Sequence, residues 1–564
     1  MSDSLVGCSP GLAREISNLK IKGSRIPVLL SQVSSPKSRL AIEQATAELR
    51  SGNVLEAQRL LRERLAADPG DAQVLDKLAE LAIAQGRIEE TTLLLRRAAG
   101  ADPTPARQMA LVRHAQMNGG PYLTVREIEA LPTGLRDSFE VRCIEAAMRG
   151  HLGEHDRQIA IYEELVKLNP GNASLLKTVG DALKTVGRME DAVAALRTAI
   201  QVRPTYGEGY WTLSNFKSFR FTDRDISAMN KALRGSLSDE DALHFHFALG
   251  KAYEDRSKFA KSFHHYDAGN RIRRAGVAPE SMRVTGFVDL ATTFYRPELF
   301  ERHKGAGCQA RDPIFVLGLH RSGSTLIEQI LASHPLIEGT AELTVIQQIW
   351  DRIGRLAALS NRGPFQELLR LDAADLKAIG EEYLDRTRPF RMTDRPFFVD
   401  KLPANWLNLG LIRLALPNAK IIDARRHPMA CGFSNFKQNY AAGITFSYSL
   451  ESIGHFYRDY VRFMEHIDRV QPGAVHRVLN EKLIEDPEGE TRRLLDHIGV
   501  PFDPACLEFH RNKRAIATPS AEQVRRPINS EGVDHWRHYE SWLGPLKQAL
   551  GPALDNWDKL PDPS

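Results

Sequence analysis

The sequence predicts a helical solenoid followed by a parallel-sheet α/β domain. Three observations predict it. Prolines recur 34 residues apart in the first half, at Pro69 and Pro103 and again at Pro170 and Pro204. A short apolar run, Ile314 to Leu317, leads through a glycine-containing turn into apolar residues at helical spacing, Leu326, Ile327, Ile330 and Leu331. Beyond Pro313, strand-like runs alternate with helical patterns, which is the signature of a parallel sheet with helices on both faces.

In chain order, residues 1–37 read as an arm that mixes Ser, Pro and Gly with one short helix at Leu12 to Leu19. Residues 38–275 are helical throughout. The 34-residue period is that of the tetratricopeptide (TPR) repeat, in which small residues let two helices nest and a proline follows the second. The clearest copy runs from Ala173 to Pro204, with Gly180, Ala192 and Ala199 at close-approach positions and Leu196 between them. A late copy places Gly250, Tyr253, Ser262 and Tyr266 at matching offsets, and weaker copies carry Ala57 and Leu61, then Ala79, Leu95 and Ala98. Gly119-Gly120-Pro121 and Pro132-Thr133-Gly134 break the pattern between Pro103 and Leu135. Residues 276–312 are a connecting segment with one helix, Phe287 to Phe294.

Residues 313–564 form the α/β domain. Strands are expected at Ile314 to Leu317, Phe397 to Val399, Ile421 to Ala424 and Val475 to Leu479, with helices at Ala404 to Ala415 and Leu450 to Arg469. Ligands of such sheets bind at the carboxyl ends of the strands. Arg321, Lys401 and Arg426 each follow a strand, so they would gather at one edge as a basic pocket for a polyanion.

Composition excludes several classes. The chain has 564 residues, 75 basic and 71 acidic, which argues against a dedicated nucleic-acid binder. Its five cysteines show no CxxC spacing, so neither a zinc site nor a disulfide framework is expected, in keeping with a cytoplasmic setting. No apolar stretch approaches 18 residues, and the N-terminus lacks the charged and apolar regions of a secretory signal. Leu5-Val6-Gly7-Cys8 has no hydrophobic run before it, so a lipoprotein site is not expected. No HExxH occurs among the 18 histidines, and no metal is expected.

The turn after the first strand reads Gly318-Leu319-His320-Arg321-Ser322-Gly323-Ser324-Thr325. It keeps the Gly-x4-Gly spacing of a Walker A loop, but Ser324 stands where a nucleotide triphosphatase needs Lys. A helix start after such a turn favours an anion, through its open N–H groups and its dipole. The alternative is a strand–helix turn rich in small residues.

The run HRSGSTLIEQILASHP, residues 320–335, resembles the 5′-phosphosulfate loop of the bacterial TPR-containing sulfotransferases and of the related protein-tyrosine sulfotransferases. AKIIDARRHPMACGFSNFKQ (419–438) and SAEQVRRPINSEGVDHW (520–536) match the same family in the same order, over about 250 residues in all. The resemblance implies a P-loop-like sulfotransferase domain. The donor would be 3′-phosphoadenosine 5′-phosphosulfate (PAPS), with 3′-phosphoadenosine 5′-phosphate (PAP) as product and no metal.

Residue by residue, the resemblance implies that Arg321, Ser322, Gly323, Ser324 and Thr325 hold the 5′-phosphosulfate. Arg426 and Ser434 would clamp the 3′-phosphate, and Gln523, Arg525 and Arg526 would line the nucleotide. Lys401 would stabilise the transferring group, Ser520 the transition state, and Glu342 would take the acceptor's proton, with Glu338 as the rival base. Three positions depart from the protein-tyrosine branch: Asn480 replaces a tyrosine, Gln438 an arginine and His535 a basic residue.

Sulfuryl transfer, like phosphoryl transfer, would then be positioning plus charge stabilisation around an in-line displacement. The acceptor would be a hydroxyl on a peptide or protein tyrosine, a carbohydrate or a small molecule. The solenoid would either bind a peptide acceptor in its groove or serve as a scaffold for the catalytic domain. Two rival functions remain: a TPR interaction protein with a degenerate nucleotide-binding domain, and a nucleotide kinase, against which the missing Walker Lys counts.

Overall fold

The first helices follow from repeated local rules. In the computed structural model, which describes residues 35–559 apart from 52, 86, 217, 276, 278, 279, 360, 441–443, 513, 515–522 and 531, helices end at Ala67, Ala101, Leu168 and Val202. Each ends two residues before one of the spaced prolines, because the residue before a proline is driven out of helical geometry. The expected helix at 12–19 lies outside the described residues. The chain divides into two compact units, Met1–Ala195 and Leu196–Ser564.

In the first unit, helices such as Ala72–Ala84 and Ala173–Thr185 start on side-chain caps, with Asp71 accepting from Val74 N and Asn172 from Leu175 N. Ala57, Leu61, Ala79, Leu95 and Ala98 are all buried in one cluster, as the repeat pattern requires. The expected irregularity appears as a π turn, Ala115–Gly119, followed by Gly120 at φ 75°.

The second unit opens with further helices, among them Asp239–Glu254 and Phe259–Arg274, which pair as a repeat hairpin. A Cβ at Gly250 would strike the Tyr266 ring, and Ser262 Oγ donates to Gly250 O at 2.7 Å, so the small residues sit where the helices touch. The helix Glu280–Phe294 covers the one expected in the connecting segment.

The sheet has five parallel strands: β1 Pro313–Gly318, β2 Ile337–Gly339, β3 Phe397–Lys401, β4 Lys420–Arg425 and β5 Val475–Leu479, in the order β2-β3-β1-β4-β5. Four match the expected strands. The edge strand β2 was not anticipated, because three residues are too short to show a period. Alternate residues of β1 feed two cores. Phe315 and Leu317 join Trp406 and Ile412 on one face, while Ile314 and Val316 join Ile327 and Leu331 on the other. The first of these cores also contains Leu243, Phe247 and Tyr266, so the repeat hairpin 239–274 and the sheet share one apolar interior.

Among the described residues no helix is long and apolar enough to cross a membrane.

Candidate active site

Topology decides where a ligand can sit. From β1 the chain leaves toward β2, whereas from β4 it leaves toward β5, so a crevice opens between the carboxyl ends of β1 and β4. A cleft of about 500 Å³ lies there. Its walls carry Arg220, Lys251, Arg321, Arg426, Lys437 and Arg526 against Glu254 and Asp255. Among the described residues the cleft is therefore lined by six cations and two carboxylates, which favours an anionic ligand.

The loop after β1 is shaped by two glycines and one strained residue. Gly318 has φ 141° and a Cβ there would strike the Ala424 carbonyl of β4. Gly323 has φ 99° and a Cβ there would meet Asn480 Oδ1. Between them Arg321 adopts φ 68°, a left-handed conformation that costs a non-glycine residue energy and is held by its surroundings. Arg321 Nε donates to Ser434 Oγ at 3.1 Å, and Arg321 O accepts from Arg426 Nη1 at 3.2 Å. The helix Ser324–Ala332 then starts at Gly323 with no side-chain cap, unlike the repeat helices that begin on Asp71 or Asn172. Ser322 Oγ is buried and has no hydrogen-bond partner among the described residues. An uncapped helix start beside an unmatched buried hydroxyl suits a phosphate-like group.

Arg425 and Arg426 are neighbours with opposite destinations. Arg425 ends β4 and turns into the protein, donating to Asp423 Oδ2 at 2.8 Å. Arg426 lines the cleft and also donates to Gly532 O. Ser434 lies on the helix Pro428–Phe436 that follows, and Asn435 beside it donates to His320 O at 2.8 Å, tying that helix to the loop.

Lys401 closes β3 in register with Val316 of β1 and is almost wholly buried. It pairs with Glu342 and lies 3.9 Å from Glu328. Glu328 is held in turn by Arg514 at 2.5 Å. Glu342 is 44% exposed, so its carboxylate is open to a second substrate while touching Lys401. At His320, burial, with Lys401 and Arg321 adding to it, pushes the imidazole down to about 4, so it is neutral at physiological pH. Glu338 is buried in β2, and its Oε1 accepts from the backbone N–H groups of Met392 and Thr393, which makes it a tether for that loop.

The structure therefore brings Arg321, Gly323, Ser324, Thr325, Arg426, Ser434, Gln523 and Arg526 to one cleft, while Ser322 of the same loop is buried and not part of the lining. Lys401 and Glu342 form a neighbouring pair outside the cleft lining. Arg525 is not among the lining residues and donates to Arg514 O at 3.4 Å. Ser520 lies outside the described residues. Of the three departures, Asn480 and His535 line the cleft, and Gln438 donates to Asn439 O at 3.5 Å.

Glu328, Lys437, Lys251 and Glu254 were missed by the sequence reading. Helix arithmetic could have found two of them: Glu328 is four residues after Ser324, and Lys437 three after Ser434, each on the same helical face. Nothing local to residues 251–254 signals a part in the site.

Residues 313–504 match the family described as the sulfotransferase family. An uncharacterized protein of Aquifex aeolicus is 30% identical over 401 residues, which is 70% of this chain and 52% of that protein. Protein-tyrosine sulfotransferase 1 of Danio rerio is 26% identical over 255 residues, covering 40% of this chain and 65% of that protein. Among solved structures, the sulfotransferase domain of the Synechococcus PCC 7002 olefin synthase aligns at 24% identity and a TM-score of 0.31, over 41% of this chain and 88% of that one. The chain spans about half the length of the Aquifex relative.

Proposed function

We propose that this chain, whose residues 313–504 belong to the sulfotransferase family, moves a sulfuryl group from PAPS to a hydroxyl acceptor. The observation that carries the reading is the cleft at the ends of β1 and β4, where Arg321, Ser434 and Arg426 are joined and positive charge exceeds negative. In the reaction the sulfur's bond to the bridging phosphate oxygen breaks as a bond to the acceptor oxygen forms, and the acceptor's proton leaves to a base.

The chain's own residues divide this work. The uncapped helix start with Ser322, Ser324, Thr325 and Arg321 would hold the 5′ end of the donor. Arg426 and Ser434 would hold the 3′-phosphate, the group that separates this donor from ATP, while Gln523 and Arg526 line the nucleotide. Lys401, a compact charge, would follow the bridging oxygen as negative charge grows there. Glu342 is the better candidate for the base than Glu338, since its carboxylate is exposed beside Lys401, whereas that of Glu338 is buried with one oxygen held by backbone N–H groups.

The acceptor class within this reading is a peptide or protein hydroxyl, supported by the helical repeats, whose arrays present extended grooves. A cytoplasmic setting belongs to the same reading, supported by the free thiols of Cys143, Cys308, Cys431 and Cys506.

The test is thermal stabilisation by PAP beside ATP with Mg²⁺. Ligand at about 100 times its Kd stabilises by about 2.7 kcal/mol. A clear shift with PAP alone is expected. A shift with ATP alone would replace this reading with a kinase, and no shift with either would replace it with an interaction protein carrying a degenerate domain.

A further inference from the structure

The end of the helix Pro428–Phe436 is braced by the repeat hairpin rather than by the sheet. Asn270 Nδ2 donates to Phe436 O at 2.7 Å, and Arg273 Nη2 donates to Asn439 Oδ1 and Tyr440 O at 3.1 Å each. Ser262 Oγ and Tyr539 OH, which share a hydrogen bond of 2.9 Å, fasten the same hairpin to the segment that carries His535. Inside this bracing, Lys437 lies one turn beyond Ser434 and lines the cleft. Its Nζ donates to both carboxylate oxygens of Glu254, at 3.1 and 3.0 Å, and stands 3.5 Å from His535 Nδ1. Glu254 is the last residue of the repeat helix Asp239–Glu254. Burial pushes its carboxyl up, but Lys437, His535 and Lys251 outweigh that and hold it at about 2, so it is an anion. His535 is pushed down to about 4 by burial and by Lys437, and is neutral.

An ammonium has three donors. Two are taken by Glu254, and among the described residues the rest of the ammonium meets only the long contact to His535 and the face of the Phe433 ring, 5.6 Å from its centre. Lys437 is thus held at a fixed place in the cleft with one donor direction weakly used, next to Ser434 and within the field of Arg321.

We propose that Lys437, positioned by Glu254, is a further phosphate-binding cation of the donor cleft, so that the helical-repeat hairpin completes the 3′-phosphate site. Lys437 supplies the charge that Gln438, bonded to Asn439 O, does not. Glu254 is a positioning residue: it fixes the ammonium before the ligand arrives, which removes part of the entropy cost of binding. The inference rests on the reading of the cleft as the PAPS site.

The experiment is calorimetric titration of the full chain with PAP and with adenosine 5′-monophosphate, which lacks only the 3′-phosphate. Lys437→Met is expected to weaken PAP roughly 10- to 100-fold, the worth of a charge-assisted hydrogen bond, and to leave the monophosphate within about threefold; Lys437→Arg is expected to restore most of the difference. Glu254→Gln is expected to weaken PAP less than Lys437→Met does, and to add nothing in the double variant, as coupled residues behave. The double variant also keeps the test open if Lys437→Met alone, which strands a buried carboxylate, does not fold. Equal losses for both ligands, no loss, or tighter PAP binding in Glu254→Gln would overturn the proposal while leaving the donor reading intact. A wild type that binds neither ligand would overturn both.

Discussion

Two sets of charges meet at the end of β4 and do opposite things. Below the strand end, Asp423 accepts from Arg425, from Arg477 at 3.0 Å and from Tyr460, and Arg477 also pairs with Asp468 at 2.7 Å. Two arginines face two aspartates, so this buried network is balanced. One residue further on, Arg426 enters a cleft where six cations line the wall with two carboxylates. The comparison teaches how to separate structural from functional charge. Balanced, paired charge inside a fold serves the fold, while a net excess of one sign converging at a strand end is unfinished until a ligand arrives.

The comparison can be broken or sharpened at three points. The largest effect is expected in the balanced network. Asp423→Asn leaves two arginines facing a neutral amide and is expected to cost about 3–5 kcal/mol of stability, by denaturant unfolding. Arg425 and Arg477 hold the Asp423 carboxyl below its ordinary value despite burial. Its contribution is therefore present above the ordinary carboxylate pKa and lost as pH falls through the depressed one, so the gap between wild type and variant closes in acid. A gap that persisted unchanged at low pH would show that the network's worth is not ionic.

Next comes Glu342→Gln. It is expected to lower turnover about 10²–10⁴-fold, the range for removing a general base, with PAP affinity unchanged. Measured single-turnover rates that match wild type would move the base elsewhere.

The smallest effect in energy is expected from Arg426→Ala. It should weaken PAP by about 10- to 100-fold, the worth of a lost charge-assisted contact, while the unfolding midpoint stays near that of wild type. A variant that instead unfolds easily and binds PAP normally would place Arg426 in the structural network with Arg425.

Much of this was legible in the chain before any coordinates. The proline spacing, the buried small residues Ala79 and Gly250, four of five strands and the loop Arg321–Thr325 all follow local rules of period, sterics and hydrogen bonding. The short strand β2 was not, because Ile337–Gly339 has too few residues to show an alternation. Neither was the difference between Glu338 and Glu342. Both are acidic residues four apart, and only the distant groups that reach them, the backbone of residues 392–393 at Glu338 and Lys401 at Glu342, tell them apart.

The sequence by itself determined what depends on neighbours along the chain: the helical repeat, the glycine turn that opens a helix, and the order of cations behind the strands. The tertiary structure alone decided which of those charges are cancelled. Arg425 and Arg426 are adjacent, yet one meets Asp423 and the other a cleft, and Lys437 finds its counter-ion 183 residues away at Glu254. Electrostatic interaction depends on distance and burial, and those are set by which distant elements the apolar core brings together.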